Sequence, residues 1–343
     1  MKYTFPLAAV VALVLFSWIG ASIPGMQYIF GIVVPYLAMA LFLGGFCYRV
    51  IDWARSPVPF KIPTTCGQGF SLPWIKYDKL EAPLTTSQVM ARMFLEVVLF
   101  RSLWRNTKAT VYKGPKLTYE SSKWLWLFAL LFHYSFLVII LRHMRLFMDP
   151  VPGIISSLEF FDGILQIGAP TMYLTEVTIL LGLFFLLGRR FFNRYVRYIS
   201  LSNDFFPLYL IIAIVLTGIL MRFFLRSGID IIAIKRLAVG LVTFHPAIIA
   251  DIGSIFYIHV FLVSALLVYF PFSKLMHMGG VFLSPTRNMA NDTRMRRHIN
   301  PWNPDIKPHS YEAYEDEFRK DMVEQGIPVE KPLTAEESAA AEE

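Results

Sequence analysis

The run WLWLFALLFHYSFLVIILRHMRLF, residues 124–147, decides the fold. It exceeds the roughly 20 apolar residues that a helix needs to cross a bilayer core of about 30 Å. Inside it stand His133 and His143, ten residues apart, with no Asp or Glu beside them. Ionisable groups at membrane depth are costly and mark functional positions. The segment therefore reads as a membrane span that carries chemistry.

The rest of the chain agrees. Its 343 residues are 55% hydrophobic and 17% charged, with a mean hydropathy of +0.51. A soluble domain carries about 25% charge, which argues against an ordinary cytosolic enzyme. Five more stretches are long and apolar enough to span: about 4–23, 27–48, 172–191, 204–224 and 252–276. Lys2 and the small residues Gly20-Ala21-Ser22 around the first would also suit a signal peptide. Its apolar core is long for that, and a second span follows closely, so we read it as retained. The expected fold class is an all-α integral membrane protein of about six transmembrane helices. Two cysteines, Cys47 and Cys66, are too few for an Fe–S cluster or a disulfide framework. No C-x-x-C-H occurs, which excludes covalently attached haem.

Charge sets the expected orientation. The link after the first span, residues 23–27, has no Lys or Arg, whereas Arg49 to Lys123 holds twelve. Arg189, Arg190, Arg194 and Arg197 follow the fourth span, while Asp149, Glu159 and Asp162 mark the acidic link between these basic ones. Positive loops stay inside, so both termini are expected in the cytoplasm of a multi-pass cell-membrane protein. Arg222, Arg226, Lys235 and Arg236 dissent and are outvoted. The chain divides into two N-terminal spans (1–49), a cytoplasmic insertion (50–123), a segment with the histidines (124–280) and a polar cytoplasmic tail (281–343). In the insertion, residues 88–104 place Val89, Met93, Phe94, Val97 and Phe100 near one face, with Arg92, Glu96 and Arg101 among them. That pattern predicts an interfacial helix.

His259 and His277 lie on the sixth span, which runs opposite to the third. Equal depth pairs His133 with His277 towards the cytoplasm and His143 with His259 towards the outside. Ten residues rise about 15 Å and eighteen about 27 Å. That leaves about 6 Å of mismatch at each end, for tilt and a kink at Pro271 to absorb. One buried histidine is usually a hydrogen-bonded core residue. Four, paired by depth, point to axial ligation of two haem b groups. A proton-relaying transporter and a haem-free anchor are the competing classes. Neither inverted repeats nor broken helices, which would favour a transporter, are evident.

The stretches Leu131-Phe132-His133-Tyr134, Leu141-Arg142-His143-Met144-Arg145, Ile258-His259-Val260 and Lys274-Leu275-Met276-His277 resemble the di-haem cytochrome b (gamma) subunit of respiratory nitrate reductases. The extra first span, the insertion and the tail look closer to the DsrM-type cytochrome b of the membrane complex of sulfate reducers. This resemblance implies a five-helix di-haem core. It also implies oxidation of menaquinol near the outer haem, with electrons crossing to the inner one. The recipient would be a cytoplasmic Fe–S subunit like that of heterodisulfide reductases (DsrK-like), in dissimilatory sulfur metabolism. A nitrate reductase gamma subunit or the cytochrome b of a heterodisulfide reductase is the alternative.

Other groups are candidates around this core. Glu176, one turn inside the outer end of the fourth span, could accept a quinol proton or equally reach out to the lipid headgroups. Arg142 and Arg145 could pair with haem propionates or snorkel to the interface; two arginines on the outer side run against the positive-inside trend and favour the first. His245 and Asp251 could lie on a proton exit, though an ordinary surface role suits both better. His298 and His309 read as exposed.

Overall fold

No charge interrupts Thr4–Ala21, and these residues form helix α1. Pro6 sits in its first turn, where a missing N–H is tolerated. The computed structural model describes residues 2–56, 74, 76–112, 114, 116–165, 172–225, 229–248, 252–292 and 307–332. Helix α2 runs as one span over Met26–Arg55, with a π turn at Ile29–Val33. It continues well past residue 48, where the sequence suggests a stop. The Arg49–Asp52 pair (3.8 Å) and the Arg49 guanidinium over the Trp53 ring support this extra length.

The insertion departs from its expected form. Instead of one interfacial helix over 88–104 there are two, α3 (Thr86–Leu99) and α4 (Arg101–Arg105), split at Phe100 with φ 50°. The faces differ too. Val89, Arg92 and Glu96 are buried, while Met90, Phe94 and Val97 are exposed. Glu81 holds Arg92 (3.8 Å) and Arg101 (2.6 Å), and Glu96 accepts the Ser102 N–H at 3.1 Å. Charges paired inwards and apolar groups turned outwards suit a helix lying on lipid. Strands β1 (Thr107–Tyr112) and β2 (Lys116–Ser121) then form an antiparallel hairpin, from Thr107 opposite Ser121 to Tyr112 opposite Lys116. The helical class holds elsewhere in the described residues.

Helix α5 is Lys123–His143, α6 is Gly153–Gly163 and α7 is Leu174–Phe192. Helix α8 (Ser202–Ile219) runs on into a π turn at Leu220–Phe224, followed by α9 (Ile231–Val242) and α10 (Ser254–Tyr269). Among the described residues five helical spans are long and apolar enough to cross a membrane, within α1, α2, α5, α8 and α10. The expected fourth span exists as the 19-residue α7. Glu176 in its first turn and Arg189 and Arg190 in its last shorten its uncharged stretch, so it is not one of the five. The protein is a multi-pass membrane protein.

Helices α1, α7, α8 and α10 share a core built on Val10, Ile179, Leu183, Leu210, Ile258 and Leu262. Helix α5 meets α7 where Gly182 lies against Phe132, and a Cβ at 182 would come within 2.9 Å of that side chain. Small residues permit such close approach between membrane helices. Lys2 donates to the Arg197 carbonyl at 2.5 Å, which places the N-terminus at the same end as the basic turn after α7.

By contact the chain forms two units, residues 1–56 with 60–297, and 57–59 with 298–343. In the second, helix α11 (Tyr311–Glu324) forms over an acid-rich run that includes Glu312, Glu315, Asp316 and Glu317. Ser310 caps it, and Glu315 accepts the N–H groups of Glu330 and Lys331. Cys66, Arg226, Asp251, His298 and Trp302 lie outside the described residues, as do the proline-rich start of the insertion, the basic cluster at 294–297 and the acidic end of the tail.

Candidate functional site

The four histidines come together as two pairs. The His133 and His277 ring centroids are 6.1 Å apart with planes at 79°. Those of His143 and His259 are 6.5 Å apart and near parallel, at 16°. The pairings are the ones that equal depth requires. The length mismatch is resolved by a break rather than by a kink alone. Helix α10 stops at Tyr269, two 3-10 turns follow (Phe270–Phe272 and Lys274–Met276), and Ser273 between them is extended.

Each Nδ1 is occupied. His133 bonds the Ala129 carbonyl, His143 the Ile139 carbonyl and His277 the Lys274 carbonyl, all at 2.7 Å. His259 instead meets Thr217 Oγ1 of α8 at 2.9 Å. Bonds at Nδ1 fix the tautomer that leaves Nε2 bare for a metal. Two metal–imidazole bonds of about 2 Å in line, with the two ring radii, separate centroids by about 6 Å. None of the four histidines is fully buried. The residues therefore fit two bis-imidazole haem sites.

The 133/277 end is braced from the insertion. The break at Phe100 leaves carbonyls that α3 cannot satisfy itself. Trp126 Nε1 donates to Leu99 O at 2.7 Å, and Tyr134 Oη donates to Val98 O at 2.8 Å. Phe100 thereby sets its ring edge-on to His133, centroids 5.0 Å apart. The segment carrying His277 is tied to the start of α8 by Lys274 and Asp204 (2.7 Å).

The 143/259 end holds a charged network. Arg142 is buried and pairs with Asp162, while Arg145 pairs with Glu159. Tyr173 lies between two guanidiniums, 3.7 Å from Arg142 and 4.2 Å from Arg222. Its hydroxyl accepts from Arg222 at 2.5 Å and donates to Glu159 at 3.1 Å. Partial burial raises the Glu159 carboxyl, but the Arg145 hydrogen bond and charge outweigh it and hold it below the ordinary carboxylate range. Arg142 Nε is buried without a partner among the described residues. Glu176 accepts the Tyr173 N–H at 3.2 Å, one half of a capping box. Its duty as a cap was not expected. His245 lies away from both pairs, in an open cleft of about 400 Å³ with Lys235 and Arg236.

Sequence reasoning missed Thr217, Phe100, Tyr173, Asp204 and Arg222 as parts of the site. Two left a signal: Asp204, an acid at the third helical position of α8, and Arg222, a cation that runs against the charge trend at the end of that span.

Relatives of known description include two archaeal proteins. One, from Archaeoglobus fulgidus, is 47% identical over 283 residues, 80% of this chain and 84% of that protein. Another, from Archaeoglobus profundus, is 43% identical over 284 residues, 81% of this chain and 83% of its own. Both are named Hdr-like menaquinol oxidoreductase cytochrome b-like subunit. The family model for the nitrate reductase gamma subunit matches residues 89–297. With that match over more than half its length, and both imidazole pairs inside it, the chain belongs to the nitrate reductase gamma subunit family.

Proposed function

We propose that this protein is the di-haem cytochrome b of a menaquinol-oxidising membrane complex. Electrons would leave it for a cytoplasmic Fe–S subunit of the heterodisulfide reductase type, in dissimilatory sulfur metabolism. One observation carries the reading: two imidazole pairs at ligation distance, each with its Nδ1 engaged, and with no hydrogen bond to any Nε2 among the described residues. The names of the two relatives favour a heterodisulfide reductase-like complex over a nitrate reductase.

His133 and His277 would hold one haem b, and His143 and His259 the other. When bound, the haems supply one-electron carriers at two depths of the membrane. The chain's own groups do the rest. Glu176, at the 143/259 end, would accept a quinol proton; Arg142, through its unpartnered Nε, and Arg145 would bind haem propionates. By the positive-inside rule, the basic insertion and the Arg189–Arg197 turn favour a cytoplasmic side for the 133/277 pair and a cytoplasmic N-terminus.

A reduced-minus-oxidised visible spectrum with a haem count tests the reading directly, with two haems b per chain expected. His133→Ala and His277→Ala should delete one shared spectral component, and His143→Ala and His259→Ala the other. Loss of the same component from His133→Ala and His259→Ala would overturn the pairing.

A further inference from the structure

Three of the four imidazoles rest on a backbone carbonyl of their own segment. His259 does not. Its Nδ1 meets Thr217 Oγ1, a side chain from a different helix, at 2.9 Å. The Thr217 hydroxyl also lies 2.9 Å from both the Ala213 and the Ile214 carbonyls of α8. A hydroxyl has one proton. Those carbonyls can only accept, so that proton goes to them and the Oγ1 lone pair faces His259. The imidazole must then carry its proton on Nδ1 and donate it to Thr217, with the Ile214 carbonyl of α8 as a second, weaker acceptor beside it. Thr217 itself is 7% exposed, so water does not take its place. The next residue, Gly218, lets the ring lie close, since a Cβ there would come within 3.4 Å of His259 Cε1.

We infer that Thr217 is a positioning residue that sets the orientation and basicity of His259, and so the redox potential of the haem at the 143/259 site alone. This rests on the haem reading given above. An Nδ1–H that donates to a hydroxyl gives Nε2 more electron density, which favours the ferric over the ferrous state. Without the hydroxyl the ring loses that donation, and the ferrous state gains. The other pair has no contact of this kind, because its Nδ1 atoms bond carbonyls that no side-chain substitution removes.

The test is potentiometric, on the full-length protein in its membrane, with Thr217→Val and Thr217→Ser. Valine keeps the volume and removes the hydroxyl; serine keeps the hydroxyl. For Thr217→Val we expect one midpoint potential to rise, by about tenfold in the ferric-to-ferrous balance or about 59 mV. The component that moves should be the one deleted in His259→Ala, and the other should stay. Thr217→Ser should keep both near the parent values. Two unmoved potentials in a valine variant that keeps both haems would overturn the inference and leave the haem reading intact. A parent protein without haem b would instead overturn that reading. If valine costs both haems, Thr217→Ala removes the hydroxyl with less crowding and is judged by the same shift.

Discussion

At Glu176 one carboxylate oxygen accepts the Tyr173 N–H and so caps α7, while Arg222, Arg142 and Asp162 are the charges that act on it. Glutamine can still accept that N–H, but it cannot take a proton. Glu176→Gln therefore separates the two duties. In the proposed quinol oxidation it should slow haem reduction by quinol tenfold or more, towards the range of about 10²–10⁴ for a lost general base. Both haem spectra should stay in place. Stopped-flow reduction by a menaquinol analogue measures it, and unchanged kinetics would remove Glu176 from proton transfer. Tyr173 belongs to the same residue-scale picture. Its ring between two guanidiniums and its bond to Glu159 lock the start of α7 to α6 and to the π turn after α8.

Helix packing decides how well the ligands hold their places. Helix α5 carries His133 one residue beyond Phe132, and Phe132 packs so tightly on Gly182 of α7 that a Cβ there would lie 3.1 Å from its backbone atoms. Gly182→Val should push α5 off α7 and cost about 1–3 kcal/mol, as overpacking does. Thermal unfolding together with haem content would show it, the 133/277 haem being lost first. The spans were legible because hydropathy is a property of composition over many turns of helix. The break after Tyr269 was half legible, since Pro271 forecasts a bend but not two 3-10 turns. The hairpin was not: Lys116–Ser121 is exposed on both faces, so no alternation of apolar and polar residues announces it. Thr217 was hidden for a similar reason. A lone hydroxyl inside an apolar run satisfies itself on its own helix, and only the packing of α8 against α10 reveals its second partner.

Across the whole molecule, the basic links and the 133/277 pair lie at one end, which is where electrons would leave the chain. No further ligand set for a metal is present among the described residues of the insertion or the tail. Helix α11 exposes Tyr311, Tyr314 and Phe318, and such aromatic anchors dominate protein interfaces. We therefore expect deletion from Pro301 onward to release the Fe–S partner while quinol still reduces both haems. Co-purification of the truncated chain with its full partner, at an undiminished electron-transfer rate, would end that role for the tail. The pairing of α5 with the final membrane segment also bears on biogenesis. Both pairs draw one member from residues 123–143 and the other from residues 254–280, with α6 to α9 between them. A nascent chain still on the ribosome thus has two half-pairs of histidines and no whole pair until α10 is inserted. Loading of the two proposed haems would then fall after insertion of α10, and each would act as a clasp that closes a bundle already threaded.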